Sequence, residues 1–597
     1  MRMTERRSKV RFRAVVVGVL AHLVVLTTVA AGAPRFRFGV MTDTHVTADP
    51  ASCERLRQAL ELFRREQVAL VVNNGDVADV NLPAAYANYR RTFDAVFAGG
   101  ERPREIFAYA AHDAFEPDFS TPGPAASYAR MQKALGANAP ADALRFDGYT
   151  FLVFPQYVGQ PGLPTWEEYA QRVAKACADN PGRPVFVIDH VPPAGTVYHS
   201  WEWGERHTRE ILNRHPQVVN FSGHVHGSLR NDVFIWQGEF TAVNAGCLQL
   251  WSGVTVAETA ERKPSCGVLT VDVLGDRLVI RRWDVRDGHE IDAAHRWIVP
   301  LPFDAATAPY ARKVLKAKEP APQFAADARL KAAAEGTPFA GFRLDFPEKV
   351  PGVMDFRIEA QRKSAAGDWT PVARIERIAD YWKRPSDRAD TCDYLFAAAY
   401  FEPAADYRIA VRPVGQYGAV GRPLYAEVST PSASAFAPAK VAYACAEPMR
   451  ELAFNDHSGN RYVADADGYY TTGDIAEPCY TGPAAEWTWG SKERSRLILP
   501  DGIFAGPVGT RYRLTLDLRT QQAPEGSAMK MLLQKPDQLG VPGVTARLRT
   551  PNGDSGTTRY VIELTKDAQN ASDTYHLTFD AGRGRIRFER IKLDVLR

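Results

Sequence analysis

Five short clusters in the first 226 residues hold the residue types that bind divalent metal ions. In chain order they are Asp43-Thr44-His45, Gly75-Asp76-Val77-Ala78-Asp79, His112-Asp113, Asp189-His190-Val191-Pro192-Pro193 and Gly223-His224-Val225-His226. Imidazole suits ions of the Zn, Fe and Mn class, and a carboxylate can bridge two of them. A lone Asp at a strand end is commonly a turn or N-cap residue, and a lone His an ordinary polar residue. Five such clusters in succession point instead to one divalent-metal site.

The elements that must position them alternate between strand and helix. Short apolar runs at 36–42, 68–73, 105–110, 151–154, 185–188 and 218–221 read as strands. Apolar residues at helical spacing over 53–67 (Leu56, Leu60, Phe63), 84–97, 166–178 and 205–214 read as helices. From 233 to 285 the period changes to two, as in β-hairpins. Each polar cluster follows or ends a strand. In open α/β sheets the carboxyl ends of strands converge on one crevice, so dispersed clusters become a single site.

In these motifs residues 36–290 resemble a calcineurin-like metallophosphoesterase. The resemblance implies a β-sandwich core flanked by helices, with a two-metal site at the strand ends. Asp43, His45 and His226 resemble the ligands of a first metal, Asp76 the bridging carboxylate, and His190 and His224 the ligands of a second. His112 resembles a general acid beside the leaving group, and Asp113 the acid that orients it. Gly75 and Gly223 resemble the glycines that allow tight turns beside the metals. The cofactors implied are two divalent ions of the Mn, Fe or Zn class, and the substrate a phosphomonoester or phosphodiester attacked by an activated hydroxide.

One position departs from the family pattern. The family reads Gly-Asn-His-Asp or Gly-Asn-His-Glu where this chain reads Ala110-Ala111-His112-Asp113. A methyl group cannot coordinate, so the second metal keeps Asp76, His190 and His224. Three outcomes are open: water or another side chain, such as Asn73 or Asn74, fills the place; the second metal is held weakly; or the protein is a binding or scaffold protein that keeps the fold without turnover.

Composition bounds the rest. The chain has 597 residues, 45% hydrophobic and 24% charged, with a net charge of +3. The first 13 residues hold six cations (Arg2, Arg6, Arg7, Lys9, Arg11, Arg13) against Glu5, so the remainder carries about −2 and nothing points to nucleic acid. That basic stretch precedes an apolar run over 14–30 and the small residues Ala31-Gly32-Ala33, the pattern of a secretory signal peptide, with a retained anchor as the alternative. No later segment is apolar enough to span a membrane, and a periplasmic or secreted location is expected. Seven cysteines without a C-x-x-C pair make a zinc ribbon improbable, while Cys247–Cys266 and Cys445–Cys479 are candidate disulfides.

The expected organisation is a signal peptide (1–33), a metallophosphoesterase domain (34–303), a linker (304–336), a fibronectin type III-like domain (337–430), a linker (431–440) and a jelly-roll-like C-terminal β-sandwich (441–597). The fold class is thus an α/β core plus two all-β sandwich domains. Tyr469, Tyr470, Tyr480, Trp487 and Trp489 are either core residues or a platform for a cell-surface glycan. Tyr198, Trp201, Trp203 and His207 form either a lid or a helix start, and Asn244 and Cys247 could approach the site.

Overall fold

The computed structural model describes residues 34–446 apart from 118–119, 122, 136–142, 198–199, 201–203, 231, 249–265, 384 and 438. Beyond 446 it describes 454–455, 470–472, 495–521, 529–534, 544–548, 557–566, 576–580 and 584–596. The signal segment, Tyr198, Trp201, Trp203, Tyr469, Cys479, Tyr480, Trp487 and Trp489 therefore lie outside the described residues.

Strands β1 (Phe36–Met41), β2 (Leu70–Asn73) and β3 (Arg104–Phe107) run parallel, joined by α1 (Glu54–Arg65) and α2 (Pro83–Val96). After the turn α3 (Ala111–Ala114) and helix α4 (Pro124–Leu135), strands β4 (Ala143–Phe146) and β5 (Tyr149–Val153) form a hairpin. Then follow α5 (Trp166–Asp179), β6 (Val185–Ile188), α6 (Arg206–Leu212), β7 (Val218–Ser222), β8 (Ile235–Gln237) and β9 (Thr241–Asn244). The unit closes with β10 (Gly267–Val273), β11 (Arg277–Asp284), β12 (His289–Ile291) and β13 (Trp297–Pro300).

These strands make two mixed sheets. One runs β12-β11-β10-β1-β2-β3, with β13 also paired to β11; the other runs β4-β5-β6-β7-β9-β8. Side chains alternate faces along a strand, so Phe38, Val40, Leu70 and Val72 of the first sheet meet Phe151, Phe186, Ile188 and Phe221 of the second in one buried core. Phe38 contacts Phe151 and Phe186 edge-on, with centroids 5.3 and 5.2 Å apart. Leu56, Leu60 and Phe63 of α1 cover the outer face of the first sheet, together with α2 and α4. Tyr169 and Val173 of α5 cover the outer face of the second. Within each sheet the parallel strands point the same way, so the residues following β1, β2, β6 and β7 emerge at one edge.

The chain continues through α7 (Arg312–Lys318) into a second two-layered unit. Strands β14 (Lys331–Glu335) and β15 (Gly341–Pro347) are followed by β16 (Val353–Lys363) and β17 (Trp369–Ile378), then by β18 (Thr391–Ala397), β19 (Asp406–Gly415) and β20 (Leu424–Ser429). The sheet β14-β15-β18 shares a core with β16, β17 and β19, where Phe342, Leu344 and Phe346 meet Phe356, Ile358 and Val411. The segment 304–336, expected to be linker throughout, ends in strand because β14 pairs with β15. This unit packs on the first: Met354 and Tyr381 join the inter-sheet core, and Arg312 donates to the Thr196 carbonyl at 2.8 Å.

The remaining strands are β21 (Ala439–Ala446), β22 (Phe454–Asn455), β23 (Tyr470–Thr472), β24 (Ser495–Ile498), β25 (Arg511–Gln521), β26 (Met529–Gln534), β27 (Val544–Leu548), β28 (Thr558–Thr565), β29 (His576–Asp580) and β30 (Gly584–Leu596). They form one sheet ordered β22-β24-β29-β26-β27, and they extend another, β20-β19-β16-β17-β28-β25-β30-β21. The second and third units therefore share an edge, where Ala373 of β17 meets Arg559 of β28. No disulfide joins the described cysteines to one another. Cys247 and Cys266 are neighbours, with Gly267 N donating to the Cys247 carbonyl, but Arg55 Nη1 contacts the Cys266 sulfur at 3.0 Å as a thiol. No described helix is long and apolar enough to cross a membrane.

Candidate metal centre

The loops that leave β1 and β2 run side by side. Asp43 N donates to Gly75 O, His45 N to Asp76 O and Val46 N to Val77 O, at 2.9–3.0 Å. This zipper puts Asp43, His45 and Asp76 on one surface. Gly75 adopts φ +102°, and a Cβ there would sit 2.7 Å from the Ala110 Cβ and 3.1 Å from His190 Nδ1. Gly223 meets the other side of the site, where a Cβ would lie 1.9 Å from Thr42 Oγ1 and 2.6 Å from Asp43 Oδ2. Asn244 holds that turn by donating to the Gly223 carbonyl at 2.6 Å. It thus supports His224 through the backbone.

Two groups of side chains converge: Asp43, His45 and His226 in one, Asp76, His190 and His224 in the other. Within each group the potential ligand atoms lie within 4.8 Å of one another, as do those of a third set, His45, Asp76 and His112. Asp43 Oδ1 is 2.9 Å from His226 Nε2 and 3.8 Å from His45 Nε2. Asp76 Oδ2 is 3.1 Å from His190 Nε2 and 3.9 Å from His45 Nε2, so one oxygen faces both groups.

The hydrogen bonds leave the ligand atoms aimed inward. Asp43 Oδ2 accepts from Thr42 Oγ1 at 2.7 Å and from His224 N at 3.0 Å. Asp76 Oδ1 accepts from His112 N at 2.9 Å. Each carboxylate thus has one oxygen held by the protein and one turned to the centre. His190 Nδ1 donates to the Asn74 carbonyl at 3.0 Å, and His45 Nδ1 to Asp79 Oδ1 at 3.1 Å. Imidazoles that ligate metals donate their other N–H to a carbonyl or carboxylate in this way. Asp43 Oδ1 and His190 Nε2 are buried and make no aligned hydrogen bond among the described residues. The donor set, its orientation and these inward atoms fit two divalent ions.

The backbone is strained where the ligands sit. Asp43, His45, Asp76, His224 and His226 have φ values of 52°, 42°, 50°, 71° and 47°. Positive φ is unfavourable for residues with a Cβ and clusters at functional sites.

Burial and mutual charge set the protonation states of these groups. Burial opposes ionisation of Asp76, but His190 and His112 outweigh it and hold the carboxyl well below its ordinary range. Burial also opposes charge on His190, yet Asp76 and Asp43 raise it to about 9. His224 is lowered to about 3 by burial and by the neighbouring His190. A metal ligand must be the neutral imidazole. His224 is already neutral at pH 7, whereas His190 must release a proton. His45 and His226 are raised as well, so metal uptake is expected to release protons at neutral pH, with affinity rising as pH rises. Titration calorimetry in buffers of different ionisation enthalpy measures this; proton-free uptake at pH 7 would contradict it.

His112 stands beside the two groups, its ring centroid 4.4 Å from that of His45. Its Nδ1 donates to the Asp79 carbonyl at 2.8 Å, with Asp79 Oδ1 3.6 Å away. Asp79 therefore orients both His45 and His112, a role that its place in the Gly75–Asp79 cluster does not reveal. Asp113, expected to orient His112, does something else. Its carboxylate accepts from Val77 N at 3.2 Å, Ala78 N at 3.0 Å and Tyr86 OH at 3.2 Å. It braces the loop after β2, fully buried, and burial and Asp76 raise its pKa to about 7.

Ala111 is buried, and its N donates to Gln156 Oε1 at 2.8 Å. Asn73 Oδ1 accepts from Gly75 N at 3.1 Å and so supports the turn. Asn74 contributes its carbonyl to His190. The Asn74 side chain is buried, and neither its Oδ1 nor its Nδ2 makes a hydrogen bond among the described residues. Asp189 accepts from Tyr169 OH and Asn220 Nδ2 at 2.9 and 2.8 Å, and braces the end of β6. His207 stacks on Trp166 at 4.8 Å and is capped by Glu205. Burial opposes charge on His226, but Asp43 and, after it, Cys247 outweigh it and hold the imidazole well above its ordinary range.

Residues 36–228 match the calcineurin-like phosphoesterase family. No curated protein sequence matches the chain. Among solved structures, a purple acid phosphatase from seeds of yellow lupin (Lupinus luteus) aligns at 12% identity and a TM-score of 0.30, covering 44% of this chain and 54% of that one. The chain thus spans about half the length of that phosphatase. The CBM22-1-CBM22-2 tandem domain from Paenibacillus barcinonensis Xyn10C aligns at 6% identity and a TM-score of 0.16, covering 45% of this chain and 91% of that one. PNGase F, a glycosylasparaginase from Flavobacterium meningosepticum, aligns at 11% identity and a TM-score of 0.14, covering 45% and 83%. With TM-scores this low, none of the three likenesses carries an argument.

Proposed function

We propose that residues 34–303 are an exported, divalent-metal-dependent phosphoesterase unit that hydrolyses a phosphomonoester or phosphodiester. The observation that carries this reading is Asp76 Oδ2, shared between two convergent ligand groups with His112 beside them. When bound, two divalent ions there would lower the pKa of a water and neutralise charge on the phosphoryl oxygens. The chain's own residues do the rest. His45 and His190 are locked with Nε2 inward by Asp79 and Asn74. Asp79 engages His112 through Nδ1–H, so Nε2 is the atom that must first take up a proton, and the imidazolium so formed would pass it to the leaving oxygen.

The test is metal analysis of the purified full chain, with hydrolysis of aryl phosphates in added Mn. Stoichiometric transition metal and hydrolysis support the reading; no metal and no hydrolysis refute it. Ala111 specifically bears on the second metal, which Asp76, His190 and His224 would hold. An Ala111→Asn variant is expected to raise second-metal affinity by about 10- to 100-fold, the range seen when one supporting ligand group is gained or lost. Increased metal occupancy or activity would place residue 111 at that ion; unchanged values would not.

Ala111 also favours a second reading, a binding or scaffold protein that retains the fold without turnover. Metal-loaded protein silent on phosphomonoesters, phosphodiesters and nucleotides would decide for it. For the accessory units the sequence supports a fibronectin type III-like spacer over 337–430 and a jelly-roll-like unit over 441–597. A contact between the latter and a cell-surface glycan is an expectation that a glycan-array screen tests. Export through the segment 1–33 is tested by N-terminal sequencing of the mature protein.

A further inference from the structure

Resting on the phosphoesterase reading, we infer that Gln156 contacts the substrate and hydrogen-bonds a non-bridging phosphoryl oxygen where Ala111 has no polar side chain. Gln156 follows β5 and crosses to the segment after β3 through two bonds. Its N donates to the Tyr109 carbonyl at 2.8 Å, and its Oε1 accepts from Ala111 N at 2.8 Å. The second bond places the side-chain amide one residue before His112, whose own N is bonded to Asp76 Oδ1. With Oε1 engaged, Nε2 makes no hydrogen bond to the described residues, and the side chain is half-buried. A rigid amide with one edge satisfied and its N–H edge open is a neutral donor suited to an anionic oxygen.

Three variants of the full metal-loaded chain separate this role from a purely structural one. Gln156→Glu keeps an oxygen acceptor for Ala111 N but replaces the N–H donor by an anion. Gln156→Ala removes both, and Gln156→Asn shortens the reach. The readouts are bound metal, KM and kcat on an aryl phosphate, and competitive inhibition by inorganic phosphate. Gln156→Ala is expected to weaken phosphate inhibition and raise KM by about 10- to 100-fold, as for a lost hydrogen bond to a charged group. Gln156→Glu is expected to be worse than Gln156→Ala, with metal content unchanged. Equal behaviour of Gln156→Glu and the natural protein would overturn the inference, and that comparison stands even if Gln156→Ala does not fold. Metal-loaded natural protein that hydrolyses aryl phosphate while all three variants match it would refute the role of Gln156 alone. Absence of both metal and hydrolysis in the natural protein would instead remove the phosphoesterase reading, and this inference with it.

Discussion

An Asp76→Ala variant is expected to lose both metal ions together and at least about a thousandfold in hydrolysis. Asp76 Oδ2 lies 3.1 Å from His190 Nε2 in its own group and 3.9 Å from His45 Nε2 in the other, so this oxygen faces both. Its Oδ1 also anchors His112 N, which ties the proposed proton donor to the same residue. Several kcal/mol of transition-state stabilisation come from such ions, and about 1.4 kcal/mol corresponds to a factor of ten in rate. His224→Ala, by contrast, removes a ligand of one group only, and the other ion is expected to stay. Elemental analysis of the two variants side by side checks this. Two retained equivalents in Asp76→Ala would show that the carboxylate is not shared. Fold integrity is expected to survive: without Asp76, His190 loses its largest favourable charge partner and is neutral more readily.

His112→Ala is expected to keep both metals and lose about 10²–10⁴-fold in rate, the range for a positioned general acid. The loss depends on the leaving group. An alkoxide needs the proton, whereas a nitrophenolate departs without it, so the variant is expected to be far more impaired on alkyl than on nitrophenyl phosphates. Equal losses on both substrates would assign His112 to charge stabilisation rather than proton transfer. Asp79 acts through the same ring. Its carbonyl takes the Nδ1 proton of His112 at 2.8 Å while its carboxylate holds His45, so the donor and a candidate ligand share one brace.

The strand–helix alternation of residues 36–285 was legible because apolar spacing of 2.0 or 3.6 residues follows from burial on one face. Leu56, Leu60 and Phe63 are buried as that spacing requires. Helix α4, strand β4 and strand β9 were not read. Helix α4 has the weakly segregated sequence PAASYARMQKAL, β4 has the short, partly exposed ALRF, and β9 (TAVN) has only two apolar residues. The strand at 331–335, lying in an Ala- and Lys-rich stretch, was read as linker because its partner strand supplies the order. The edge shared between the second and third β units was equally invisible, since it depends on Ala373 meeting Arg559 almost two hundred residues away.

Residue types and their order were enough to nominate the five clusters, because metal chemistry restricts ligands to a few side chains and strand ends collect them; the resemblance to calcineurin-like metallophosphoesterases picked out Asp43, His45, Asp76, His190, His224 and His226 within them. Sequence also exposed Ala111, a methyl where an amide was expected. It could not choose the carboxylate that orients His112. Asp113 is adjacent in the chain, but consecutive residues of a helical turn project about 100° apart, and Asp113 faces the amides of Val77 and Ala78. Asp79 comes from another loop, and only the pairing of the β1 and β2 loops brings it to both histidines. Composition and spacing determine which groups are available; the direction in which each one points is set by long-range backbone pairing, which no local pattern encodes.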